Sequence, residues 1–129
     1  MADAAGKRVL VVDDASLIRR YYRQALEAAG FSVDEALNGL EAMEKLLLEP
    51  ADLVIVDVNM PRMDGMSFLR ALRRQSSAIG SIPALVTSTE GAPQDFDAAR
   101  EAGANFYLVK PLDQAVLVDY VRLMCGVRA

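Results

Sequence analysis

The sequence has no histidine and one cysteine, Cys125. The first absence removes histidine general bases, serine–histidine triads and imidazole metal ligands together. A lone thiol can form neither a disulfide within the chain nor a cysteine-based zinc site, and this fits a reducing compartment. Cys125 lies among Val121, Leu123 and Met124, which is the setting of a buried apolar thiol. Long hydrophobic runs are missing too. None approaches the roughly 20 residues needed to span a bilayer, and residues 1–7 lack the apolar stretch of a secretory signal. The expected location is therefore the cytoplasm, with no membrane as partner. Positive charge is in deficit, with 14 Lys and Arg against 18 Asp and Glu for a formal net charge of −4. That balance argues against nucleic acid as the main partner.

What remains is an ordinary globular composition, 53% hydrophobic and 25% charged over 129 residues. A chain of this length buries roughly 70% of the surface its unfolded form would expose. We expect one domain over residues 1–129, with its core from about 7 to 125 and no room for a second, DNA-binding domain.

Short β-rich runs alternate with helical patterns. The strand candidates are 8–12, 31–36, 53–56, 83–86 and 106–109. The helix candidates are 16–29, 39–49, 66–75, 93–102 and 113–125. Ile18, Tyr22, Ala25, Leu26 and Ala29 mark the inner face of the first helix, with Arg19, Arg20 and Arg23 largely on the other side. Leu40, Met43 and Leu47 mark the second helix, and Leu117, Tyr120, Val121 and Met124 the last. The apolar run Leu53–Val56 suits a parallel strand buried on both faces, whereas 31–36 alternates like a strand nearer the sheet edge. Five βα units in succession imply a parallel sheet with helices on both faces, a doubly wound α/β fold. In such sheets ligands sit beyond the carboxyl ends of the strands, where the strand order switches.

Those ends hold reactive side chains. The first strand runs into Asp13 and Asp14, the third into Asp57, the fourth into Thr87 and the fifth into Lys110 and Pro111. Each alone reads as a helix cap, a turn residue or a solvated lysine. Together, with the first and third strands adjacent, they would place three carboxylates, an ammonium and a hydroxyl in one pocket. Converging carboxylates repel, and a hard divalent cation with oxygen ligands relieves the repulsion. The lysine and threonine add anion contacts, so the set suits a transferred phosphoryl group and a carboxylate nucleophile.

The segments VLVVDDASLIRR, LVIVDVNMPRMDGMSFLRALR, IPALVTSTE and FYLVKP resemble the response-regulator receiver family in its CheY-like single-domain form, over about residues 7–125. The resemblance implies the flavodoxin-like strand order 2-1-3-4-5 with five helices, an order for which CheY is itself a standard example. It implies Asp57 as phosphoryl acceptor, with Asp13, Asp14, Asp57 and the Asn59 backbone carbonyl around Mg²⁺. It implies Lys110 as the phosphoryl contact, a cis peptide at Lys110–Pro111, Thr87 as switch hydroxyl and Tyr107 as switch aromatic. Asn59 and Thr89 would tune dephosphorylation, and Ser88 would add a hydroxyl near the site. The donor would be a sensor histidine kinase or a histidine phosphotransfer protein. The output would be a protein target met through the 93–102 helix, the last strand and the last helix. The flagellar motor switch in chemotaxis, a phosphate sink and a relay intermediate all fit. Val116, Val118 and Leu123 outside the inner face of the last helix fit a partner or weak-dimer surface beside a monomer. The resemblance implies a signalling phosphoacceptor and not an enzyme acting on small substrates.

Two other classes use parts of this set. A Mg²⁺-dependent phosphatase of the haloacid dehalogenase type needs a second acid two residues after its nucleophile, where this chain has Asn59. A flavodoxin-like electron carrier needs a hydroxyl-rich phosphate loop after the first strand, where this chain has Asp13-Asp14-Ala15-Ser16.

Overall fold

The computed structural model describes residues 4–58, 60 and 64–127. Five parallel strands, β1 (Arg8–Val12), β2 (Ser32–Ala36), β3 (Leu53–Asp57), β4 (Ala84–Ser88) and β5 (Phe106–Val109), form one sheet in the order β2-β1-β3-β4-β5. Between and after them run α1 (Ser16–Ala28), α2 (Gly39–Leu48), α3 (Gly65–Arg73), α4 (Ser77–Gly80), α5 (Pro93–Ala102) and α6 (Gln114–Cys125). The architecture is the doubly wound α/β fold expected, with six helices in place of five. The added element, α4, is a single turn held by the Ser76 carbonyl, which accepts from the Ile79 and Gly80 N–H groups. Four residues are too few to display a 3.6-residue period.

The side-chain period of two divides the sheet into two faces. Val9, Val11, Leu53, Ile55 and Leu85 pack with Tyr22 and Leu26 of α1 and Leu117 and Val121 of α6. Leu10, Val12, Val54, Val56, Ala84 and Val86 pack with α2, α3 and α5 through Leu46, Phe68, Leu72 and Ala99. All five residues of β3 are buried, because helices cover both of its faces and strands flank both of its edges.

The inner stripe of α2 differs from the expected one. Leu40 is 46% exposed and Leu47 is 55% exposed, while Ala42 and Leu46 are fully buried. With leucines at 40, 46, 47 and 48, this helix is apolar on several sides. The small Ala42 lets the helix approach the sheet on a face that leucine spacing does not reveal. Among the arginines assigned to the outer side of α1, Arg19 also departs, being only 9% exposed.

At the amino end of the sheet Arg73 ties the units together. Its guanidinium donates to the carbonyls of Gly80, Ile82 and Gly103 and to Oδ1 of Asn105, at 2.6–3.0 Å. The acceptors belong to the ends of α4 and α5 and to the segments entering β4 and β5, so one side chain closes that rim.

Candidate functional site

The alternation that sorts the core also builds the site. Val9 and Val11 face α1 and α6, so Asp13, two residues on, faces the same way. The same step carries Ile55 to Asp57, Leu85 to Thr87 and Leu108 to Lys110. Parallel pairing puts Val12 opposite Val56 and Asp57 opposite Thr87. Four side chains from the ends of four strands thus reach one end of one face.

Carboxylate oxygens of Asp13, Asp14 and Asp57 lie within 4.8 Å of one another. Asp13 is fully buried and Asp57 is 5% exposed, whereas Asp14 is open to solvent. The Lys110 ammonium stands 3.1 Å from Asp13 Oδ2 and 3.3 Å from Asp57 Oδ1. Burial alone would depress the Lys110 pKa. The two carboxylates outweigh it and hold the amine above its ordinary value, fully charged at neutral pH. The other Asp13 oxygen accepts the Ala15 N–H at 2.9 Å, which shapes the turn into α1 but does not cap it, since Ala15 is the N-cap and no side chain caps this helix.

Three groups missing from the sequence expectations support this constellation. Arg19 donates to the Asp13 carbonyl at 2.7 Å and pairs with Glu35 of β2 at 2.7 Å, fixing the turn that carries both β1 acids. Gly65 opens α3 against the acceptor strand. A Cβ there would collide with the Asp57 carbonyl oxygen and stand 2.9 Å from Val58 Cα. Asp64 caps α3 by accepting from Ser67 N–H at 2.8 Å, and Gly65 permits the close approach. Tyr22, read as a core residue, is 2% exposed, and it borders the cavity beside Lys110 and Pro111. A phenol on the buried stripe of α1 was the one signal available in the sequence.

Thr87 is fully buried, and its hydroxyl donates to the Val56 carbonyl at 3.5 Å. Thr89 is exposed and lines a cavity of about 410 Å³ with Lys110, Pro111 and Tyr22. The Lys110–Pro111 bond is cis. Tyr107 stands apart from the acids. Its hydroxyl donates to the Glu90 carbonyl at 2.6 Å, and its ring meets Phe96 edge-to-face at 4.6 Å. Ser88 does not join the acids either. It follows Val86 onto the opposite face, and its Oγ accepts the Glu90 N–H at 3.0 Å. Asn59 lies outside the described residues. Cys125 is partly rather than fully buried, and burial pushes its thiol up to about 11.

Residues 9–122 match the response regulator receiver domain family. The transcriptional regulatory protein PrrA of Mycobacterium leprae (strain TN) is 38% identical over 117 residues, which are 91% of this chain and 49% of PrrA. The chain thus spans about half the length of the curated relatives it matches. The chemotaxis protein CheY4 of Vibrio cholerae superposes with a TM-score of 0.88 at 36% identity, covering 93% of this chain and 99% of that one. The receiver domain of a signal transduction histidine kinase from Syntrophus aciditrophicus gives a TM-score of 0.86 at 30% identity, covering 94% and 91%. With this fold and the acids at the carboxyl ends of its strands, the chain belongs to the response regulator receiver domain family.

Proposed function

We propose that this receiver accepts a phosphoryl group on Asp57 from a sensor histidine kinase or a histidine phosphotransfer protein. The carrying observation is the meeting of three carboxylates with the Lys110 ammonium, 3.1 Å from Asp13 and 3.3 Å from Asp57. A carboxylate oxygen of Asp57 attacks phosphorus, the phosphorus–nitrogen bond of the donor breaks, and the imidazole leaves with its electron pair. Lys110 faces the charge on the phosphoryl oxygens, so positioning and electrostatics supply the catalysis. Water later attacks the aspartyl phosphate and releases inorganic phosphate.

The donor set fits Mg²⁺. It is all oxygen, it gathers within 4.8 Å, and two of its acids are buried where added positive charge is strongly felt. Asp13, Asp14 and Asp57 would hold the ion, with Asn59 contributing its carbonyl. Bound there, it would neutralise phosphoryl charge as a Lewis acid.

Thr87 and Tyr107 carry the signal outward. A phosphoryl oxygen on Asp57 offers the Thr87 hydroxyl a better acceptor than Val56 at 3.5 Å. Tyr107 then leaves Glu90 and turns inward, remodelling the surface of α5, β5 and α6. The likeness to CheY4 supports a protein target in chemotaxis, such as the flagellar motor switch. The likeness to PrrA supports a second reading, control of transcription through a further domain or partner. In either case the chain acts as a phosphoacceptor in the cytoplasm, as a monomer or weak dimer, and not as an enzyme of small substrates. No described helix is long and apolar enough to cross a membrane.

Intact-mass spectrometry after incubation with acetyl phosphate tests the assignment. The wild type should gain one phosphoryl group in MgCl₂ and none in EDTA, and Asp57→Asn should gain none. Equal labelling of Asp57→Asn would refute it.

A further inference from the structure

Arg19 is a cation of α1 with almost no access to water, at 9% exposure. A guanidinium is costly to bury unless it is paired and hydrogen-bonded. Both conditions are met. Its Nη1 donates to the Asp13 carbonyl at 2.7 Å, and its Nε donates to Oε1 of Glu35 on β2, also at 2.7 Å. That carbonyl belongs to the peptide joining Asp13 to Asp14, the two acids at the end of β1. The Asp13 N–H is held as well, by the Ala36 carbonyl of β2 at 3.1 Å. Asp13 is further fixed through its carboxylate, by the Ala15 N–H and by Lys110. Asp14 is exposed, so neighbours pack little against its carboxylate and the plane of that peptide sets where it points.

Charge and geometry give Arg19 opposite effects on a divalent cation held by these acids. By charge alone it would repel the ion. Glu35, at 2.7 Å, offsets that charge. The geometric effect remains. A guanidinium is a planar fork that holds two acceptors in fixed directions, and here one acceptor follows β1 and the other lies on β2, its neighbour in the sheet.

We propose that Arg19 is a positioning residue of the divalent-cation site: by holding the Asp13–Asp14 peptide against β2 it aims the two acids and so sets the affinity for Mg²⁺. This rests on the reading of Asp13, Asp14 and Asp57 as the Mg²⁺ ligands and adds to it a residue that touches neither the ion nor the phosphoryl group.

Calorimetric titration of MgCl₂ into wild type, Arg19→Met, Arg19→Lys and Arg23→Met tests this. Arg19→Met should bind Mg²⁺ about tenfold more weakly, the scale on which partners of metal ligands act, although loss of a positive charge by itself would tighten binding. Arg19→Lys keeps the charge, but one ammonium cannot reproduce the fork, so it too should bind more weakly. It carries the test alone if Arg19→Met does not fold. Arg23 pairs with the same Glu35 at 2.6 Å and otherwise with Glu27, so Arg23→Met should bind no more weakly than the wild type. In metal-free protein the Asp13 carbonyl carbon and Asp14 amide nitrogen signals should move in both Arg19 variants and stay in place in Arg23→Met. Equal or tighter binding by Arg19→Met, or wild-type affinity in Arg19→Lys, would overturn the proposal and leave the Mg²⁺ site standing. A wild type that binds no Mg²⁺ would overturn the metal reading and this proposal with it.

Discussion

Two groups of acids lie on this molecule with different balances of charge. At the edge strand β2, two acids meet four cations. Asp34 pairs with Arg8 and Lys45, each at 3.2 Å, and Glu35 pairs with Arg19 at 2.7 Å and Arg23 at 2.6 Å. At the carboxyl end of the sheet, among the described residues, three acids meet the ammonium of Lys110. Burial opposes ionisation of Asp34 and Glu35, but the Glu35 N–H, Lys45 and Arg8 on Asp34, and Arg23 and Arg19 on Glu35, prevail and both titrate below their ordinary values. Cations that also reach Glu27 and Glu49 match these carboxylates in number and fix them in place, where they do little but hold. A surplus of carboxylates leaves negative potential that a metal ion can answer. Arg19 belongs to both groups, with one nitrogen on Glu35 and another on the Asp13 carbonyl. The inert group thereby supports the reactive one.

Removing the central cation from each group should separate their roles. Lys110→Met should slow phosphoryl acceptance by about 10–100-fold, the worth of a lost charge-assisted hydrogen bond, as timed by mass spectrometry with acetyl phosphate. Arg19→Met should cost about 1.5–3 kcal/mol in urea unfolding, because a buried carbonyl loses a charged donor. Arg23→Met, at a pair about one-third exposed, should cost no more than about 1 kcal/mol. Equal costs for the two arginines would mean that Arg19 contributes only its ion pair and that the two groups are independent.

The strand ends were legible because two simple periods place them. Apolar runs mark the strands, and alternation by two assigns Asp13, Asp57, Thr87 and Lys110 to one face once the parallel order is known. The supports were not legible, because each depends on a contact distant in sequence. Arg19 reads as a solvated cation until β2 lies beside β1 and presents Glu35. Gly65 reads as a turn glycine until α3 starts against the Asp57 backbone. Tyr22 reads as core until the cavity beside Lys110 and Pro111 opens against it. The inner face of α2 was missed for another reason: leucines on several sides erase the stripe that would mark it.

Acid titration tests the β2 group. Asp34 and Glu35 have folded pKa values below the ordinary 3.8 and 4.5. Their contribution is therefore fully present above those ordinary values and is lost as pH falls through the depressed folded ones. The urea midpoint of the wild type should fall as pH drops below about 4.5, the upper of the two values. Glu35→Gln, already without one of these charges, should be less stable at pH 7 and lose less on acidification. A parallel fall in both proteins would move the acid sensitivity away from Glu35.

The smallest expected effect tests the surplus in the pocket directly. Asp14 is the exposed member of the three acids, so Asp14→Asn removes repulsion at little cost in packing. In EDTA it should raise stability by about 0.5 kcal/mol, the scale of a partly screened interaction between surface charges. In MgCl₂ the order should reverse. The wild type gains RT ln(1 + [Mg²⁺]/Kd) from an ion that binds the folded state alone, and the variant, one oxygen charge poorer, gains less. Thermal melts of both proteins across a MgCl₂ series should therefore cross. If Asp14→Asn is the less stable protein in EDTA as well, the pocket acids are held by contacts as strong as those at β2, and the contrast between the two groups lies in position and not in charge.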